Sequence, residues 1–210
     1  MLTFLILIAC GLLLPNRIGA QQSLQRELEI KPEGKLWFEG KASIVHYRCN
    51  AESLSRIEVL AAPYEKGRGI QRDNSVQLSV KIPVKSLDCG KRRMNRDMYE
   101  ALKADRFSHI SFRLLEAERV GQSVADTAGT GWIDIEAQGM LEIAGVADTT
   151  SVAVQGMALD ENQYRVRGSK QINMLDYNVK PPTAMLGLIK ADEYLTVHFD
   201  ISVKLDRPLR

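Results

Sequence analysis

Aromatic residues make up only 6% of this 210-residue sequence, too few to build the stacking platforms that single-stranded nucleic acid needs. Charge of neither sign is in excess. The 28 basic residues stand against 26 acidic ones, interspersed along the chain, so the basic stripe of a nucleic-acid-binding surface is missing as well. The three histidines, His46, His109 and His198, are far apart and lack metal-ligand spacing. Cysteine also occurs three times, at Cys10, Cys49 and Cys89, and no CxxC pair that would suggest zinc is present. GxSxG, HExxH, P-loop and dinucleotide fingerprints are absent. The carboxylates fall mainly on polar strand faces. These absences leave no catalytic constellation, and the expectation is a protein that is not an enzyme and holds neither a metal nor a cofactor.

Long apolar runs are also missing, with one exception. Residues Leu2 to Leu14 are interrupted only by Thr3, Cys10 and Gly11. A run of about 13 residues falls short of the about 20 needed to cross a hydrocarbon core. It suits the h-region of a secretory leader, with Ile18-Gly19-Ala20 as the cleavage site, although no positive charge precedes Arg17. The expected division is a signal peptide at 1–20 and a single domain at 21–210, periplasmic or secreted, with no membrane span after cleavage. Cys49 and Cys89 would then meet an oxidising compartment, where a disulfide between them persists.

What dominates the remainder is period-two alternation, the mark of strands with one buried face. Val197, Phe199, Ile201 and Val203 alternate with His198, Asp200, Ser202 and Lys204, in a run extending from Leu195 to Leu205. Val76, Leu78, Val80, Ile82 and Val84 form a second apolar face, and Ile133, Ile135, Ala137, Gly139, Leu141 and Ile143 a third. Shorter versions occur at Ile57-Val59-Ala61, Ile110-Phe112-Leu114 and Val152-Val154, with further strands at Tyr164 to Met174 and within Leu36 to Cys49. About eight strands without an internal linker fit a single antiparallel barrel or sandwich. Pro83 on the outward parity calls for a bulge or an edge. Ala137 and Gly139 leave room mid-strand, where a bend, or a ligand approaching the backbone, would fit.

One helix is expected from about Arg96 to Ala104, capped by Asn95 and packed through Met98, Ala101 and Leu102. The basic cluster Lys91, Arg92, Arg93 and Arg96 reads as a solvated turn before it. Lys170 shares parity with Val166, Gly168, Ile172 and Met174. A bulge near Gly168 that turns it outward is the preferred reading, over a cation that meets a ligand headgroup. Pro181-Pro182 stiffens a loop whose Met185-Leu186 tail lies either across a barrel mouth or in the core.

Three segments carry a resemblance. Lys81-Ile82-Pro83-Val84-Lys85-Ser86-Leu87-Asp88, then Met94-Asn95-Arg96-Asp97-Met98 and Phe107-Ser108-His109-Ile110-Ser111-Phe112, and finally Gly139-Met140-Leu141-Glu142-Ile143-Ala144-Gly145-Val146 together resemble the YceI-like family. The Pro-Pro loop and the cysteine pair depart from its better-known members. The resemblance implies an extended lipocalin-like antiparallel β-barrel, exported to the periplasm, that binds a polyisoprenoid or related lipid. The lining would be Val76, Leu78, Val80, Ile82, Phe112, Leu114, Ile133, Ile135, Ala137, Gly139, Leu141, Ile143, Ile172, Met174, Val197, Phe199, Ile201 and Val203. Alternation alone describes a filled, ligand-free interaction barrel equally well. N-terminal sequencing of the exported protein is expected to begin at or near Gln21; an intact Met1 in the soluble fraction would overturn the leader.

Overall fold

The computed structural model describes residues 26–52, 58–63, 76–120, 131–184 and 189–205; the leader expected at 1–20, with Cys10, and the Met185-Leu186 tail lie outside them. The chain runs β1 (Arg26–Ile30), β2 (Lys35–Ala42), β3 (Val45–Ala51), β4 (Glu58–Pro63), β5 (Val76–Pro83), β6 (Leu87–Asp88), α1 (Arg92–Ala101), β7 (His109–Arg119), β8 (Ile133–Ile143), β9 (Val146–Ala158), β10 (Gln163–Asn173), β11 (Thr183–Ala184) and β12 (Ile189–Leu205).

Every pairing is antiparallel, and the pairings return on themselves. β12 lies against β10 on one edge. Its other edge takes β2 along Ala191–Asp200 and β1 along Val203–Leu205. β1 then pairs β4, β2 pairs β3, β4 pairs β5 and β3 pairs β6. The circuit continues from β5 through β7, β8 and β9 back to β10. Three of the eight positions around the ring (β1/β2, β3/β4 and β5/β6) are thus each occupied by two consecutive strands. The result is a nearly closed antiparallel barrel with one helix. Closure matters because an open edge would leave a row of unpaired amides and carbonyls. No helix among the described residues is long and apolar enough to cross a membrane.

The strands extend further than their apolar cores suggest, because tight turns hold them in register. Between β8 and β9, Ala144 and Gly145 have φ of 51° and 81°, as a two-residue hairpin requires at both central positions. Glycine takes that conformation freely, while alanine does not. Ala144 is held there by burial of its methyl, 4% exposed, against Ile172, Met174, Tyr177 and Val179. Pro83 marks neither a bulge nor an edge: β5 ends on it in a 3-10 turn, Val84–Ser86, and resumes as β6. Val84, 1% exposed, plugs that break and donates its amide to the Ser108 carbonyl at 2.9 Å.

The helix begins earlier than the capping pattern indicates. α1 starts at Arg92, behind Lys91, which makes no side-chain cap. Asn95 lies inside the helix and reaches back instead, accepting from the Cys89 amide at 2.7 Å and donating to the Asp88 carboxylate. The hydrogen bond from Asn95, with one from the Gly90 amide, holds Asp88 below the usual carboxylate range. Lys91, Arg92, Arg93 and Arg96 are exposed, as a solvated basic face should be. Met98 and Leu102 pack inward beside the Cys49–Cys89 disulfide. That bond joins β3 to the β6–α1 junction over a separation of 40 residues, and such a loop gives about 3–4 kcal/mol in the chain-entropy model.

The register of β12 is as its alternation predicts. Phe199 faces inward over Gly168, while His198 stacks outside on Trp37 at 5.0 Å. Phe199→Asp should therefore lower the unfolding free energy by about 3 kcal/mol or more, since it places an unpaired charge inside. His198→Asp should stay within about 1 kcal/mol. Chemical denaturation of both variants checks this, and equal losses would mean that the strand is not half-buried.

Candidate functional site

The interior is built from the alternate residues of every strand. Leu36 and Phe38 of β2 register with Phe199 and Val197 of β12, Val80 of β5 with Phe112 of β7, and Ile135 of β8 with Val154 of β9. The expected lining residues Leu78, Val80, Ile82, Phe112, Leu114, Ile135, Leu141, Ile143, Val197, Phe199, Ile201 and Val203 all fall on this face, and all remain partly accessible. Residues that close-pack in a filled core would lose nearly all of that surface.

Five of the expected residues stand differently. Ile133 sits at one rim, 38% exposed. Met174 is not in the wall but in the 3-10 turn Met174–Tyr177, buried in the cap, because β10 ends at Asn173. Val76 lies on β5, with its side chain outside the described residues. Ala137 is buried, 8% exposed, so it does not open onto free space. Ile172 is buried as well, beneath the cap.

Gly139 explains how the interior is shaped. A Cβ there would run into the Phe112 ring and come within 2.8 Å of the Arg113 carbonyl. What approaches this backbone is therefore Phe112. The same arrangement recurs where Phe199 lies on Gly168 and Tyr47 on Gly40. In each case an inward ring lies down on a glycine of the adjacent strand, a device that covers bare backbone in curved sheets.

The two ends differ. At one, α1, the disulfide and the 3-10 turn at Met174–Tyr177 pack into two apolar clusters. Burial there pushes the Tyr177 hydroxyl up, with Asp148 and Asp176 adding to the shift. Burial likewise raises Tyr47, with Asp192 contributing. Both phenols therefore stay neutral near the interior. At the other end the β7–β8 ribbon outruns the ring. A bulge between Leu114 and Glu116 shifts its register, and Leu115 to Arg119 are exposed.

Lys170 corrects the reading from sequence. β10 pairs β12 without a break from Gln163 to Asn173, placing Gly168 opposite Phe199, Lys170 opposite Val197 and Ile172 opposite Leu195. No bulge turns the lysine out; it lies on the inward parity. Outside the barrel, Arg165 clasps Asp200 through two hydrogen bonds of 2.8 and 2.7 Å, which holds the Asp200 carboxyl below its ordinary range. A groove of about 590 Å³ also lies on the polar side, lined by Glu39, His46, Arg48, Thr196 and His198 among others. Among the described residues no group of histidines, cysteines or acids is placed to hold a metal ion.

A family model, the YceI-like domain, matches residues 55–205. The chain belongs to the YceI-like family. BcnA of Burkholderia cenocepacia superposes with a TM-score of 0.58 at 15% identity, over 80% of this chain and 95% of that one. A polyisoprenoid binding domain from Saccharophagus degradans, implicated in plant cell wall breakdown, superposes at 0.61 with 13% identity, over 85% and 98%. At these identities the likeness establishes the shared fold. No curated protein matches the chain.

Sequence reasoning passed over several inward residues of this YceI-like barrel. Leu36 and Phe38 alternate with Trp37 and Glu39 in a pattern that was available, but Tyr47 hides between His46 and Arg48, which are polar and charged. Ile30, at the closure, stands in the charged segment Arg26–Ile30. The ring-on-glycine contact is testable. Gly139→Ala should destabilise by about 1–3 kcal/mol, although alanine ordinarily improves a strand. The penalty should shrink in a Phe112→Leu background. An equal penalty in both backgrounds, read from thermal or urea unfolding, would remove Phe112 as the cause.

Proposed function

We propose that this YceI-like protein is exported to the periplasm or secreted, and that it carries or sequesters a long apolar or amphiphilic chain, a polyisoprenoid or related lipid, inside the barrel. The observation that carries the reading is the partial accessibility of the inward aliphatic wall, Leu78, Val80, Leu114 and Ile201 among it, inside an almost continuous ring of pairings. The polyisoprenoid-binding description of the Saccharophagus degradans neighbour supports the same ligand class. A non-enzymatic role follows from the absence of any catalytic grouping in the sequence.

The energetics suit such a ligand. Each methylene moved from water into an aliphatic lining contributes about 0.8 kcal/mol, so a long chain is held without any reactive group. Affinity then scales with chain length, and release needs a partner or membrane that offers an equally apolar environment.

A second reading, a ligand-free interaction barrel, has its own observation. Arg48 lies over the outer Trp37 ring at 4.4 Å beside the stacked His198, a surface suited to a protein partner. Native mass spectrometry of the protein from its host separates the two. The carrier reading expects a co-purifying apolar mass in the wild type. Leu114→Trp, at a partly accessible inward position opposite Gly139, should lose that mass while the melting temperature falls by no more than a few degrees. An empty wild type that also fails to take up an added isoprenoid alcohol would favour the interaction barrel.

A further inference from the structure

The wall of the barrel opens between two strands. β9 and β10 pair from Ala158 opposite Tyr164 to Val154 opposite Gly168. Beyond that point β9 continues back to Val146 and β10 on to Asn173, but they pair only with their other neighbours, β8 and β12. The seam is covered at its far end by the Met174–Tyr177 turn, where Ile172, Tyr177 and Val179 pack together. Lys170 stands just past the last pair, at the point where the strands part.

Its surroundings are apolar. Val166 and Ile172 share its face of β10, and Val197 is its partner across β12. The aromatic ring of Phe199 fills the space at Gly168. The side chain is partly buried and forms no hydrogen bond or ion pair among the described residues. Asp148, the acid on the inward parity of the unpaired stretch of β9, is exposed and accepts from the Thr149 amide at 2.8 Å. A partly desolvated ammonium without a counter-charge is costly, and such groups are ordinarily paired. The cost is offset when a bound molecule supplies the anion.

We propose that the seam between β9 and β10 is the headgroup site of the barrel, and that Lys170 there pairs with the anionic headgroup, carboxylate or phosphate, of an amphiphile whose chain lies in the lumen. This rests on the chain-binding reading and narrows it from apolar chains in general to anionic amphiphiles. Neutral chains enter the same lumen but leave the ammonium unpaired, so the protein discriminates by headgroup charge while the wall discriminates by apolarity.

The test uses the delipidated protein with cis-parinaric acid and its alcohol, which differ only in the headgroup, and compares wild type with Lys170→Met and Lys170→Gln. The wild type should bind the acid about tenfold or more tighter than the alcohol, as a charge-assisted hydrogen bond implies. Lys170→Met should abolish that preference while binding the alcohol at least as well, and its melting temperature should not fall, because an unpaired charge has been removed. Lys170→Gln, which keeps a donor without the charge, should lie between them. Dodecyl phosphate should displace the acid from the wild type. Displacement by inorganic phosphate at the same concentration would show a site for the free ion and overturn the proposal. An acid-to-alcohol ratio unchanged by Lys170→Met would also overturn it, leaving chain binding intact. Failure of both probes to bind any variant would overturn the chain-binding reading and this proposal together.

Discussion

β12 is long enough to serve two neighbours on one edge, and the rest of the barrel depends on that. Its first part pairs β2 and its last residues pair β1, so a single strand ties both halves of the N-terminal segment to β10. Without this seam the sheet would have two bare edges and an apolar face open to water. The alternation of β12 carries the same logic inward. Val197, Phe199, Ile201 and Val203 face inward because a period of two admits only one register that buries them.

Once the ring is closed, its interior is shaped by what lies on the glycines. Phe112, Phe199 and Tyr47 each occupy the space of an absent side chain on a neighbouring strand. Large apolar area is thereby buried against the wall, while the aliphatic residues between the rings keep accessible surface. The disulfide, α1 and the 3-10 turn at Met174–Tyr177 close one end, so the cap is cross-linked and the opposite rim, around Ile133, is exposed. In the wall itself the hydrogen-bonding between β9 and β10 ends at Val154 opposite Gly168, two residues before Lys170.

Much of this was legible in the linear chain. β5, β8 and β12 announce themselves by clean alternation, and the Cys49–Cys89 bond joins the two cysteines that the sequence places outside its apolar N-terminal run. Other features were not legible, for identifiable reasons. Asn95 has the form of a helix cap, but its amide is used by Asp88 and Cys89 before the helix reaches it, so the helix starts at Arg92. Met174 continues the parity of β10 on paper, yet the Asn173 side chain caps a 3-10 turn by accepting from the Leu175 amide at 3.1 Å. β1 is too short and too charged to stand out, and becomes a strand because β4 and β12 lie on either side of it.

Local pattern by itself determined the fold class and the inward and outward faces, because strand periodicity is a property of neighbours along the chain. Only the tertiary structure decided that Gly139 is covered by Phe112, that Ala137 is packed and that Lys170 points along the inward face. Each of those depends on the register of a second strand, and register is settled by the whole ring at once. An isolated reading of β10 favours a bulge that rescues its lysine from an apolar face. The unbroken pairing with β12 removes that escape and leaves the charge on the inward face.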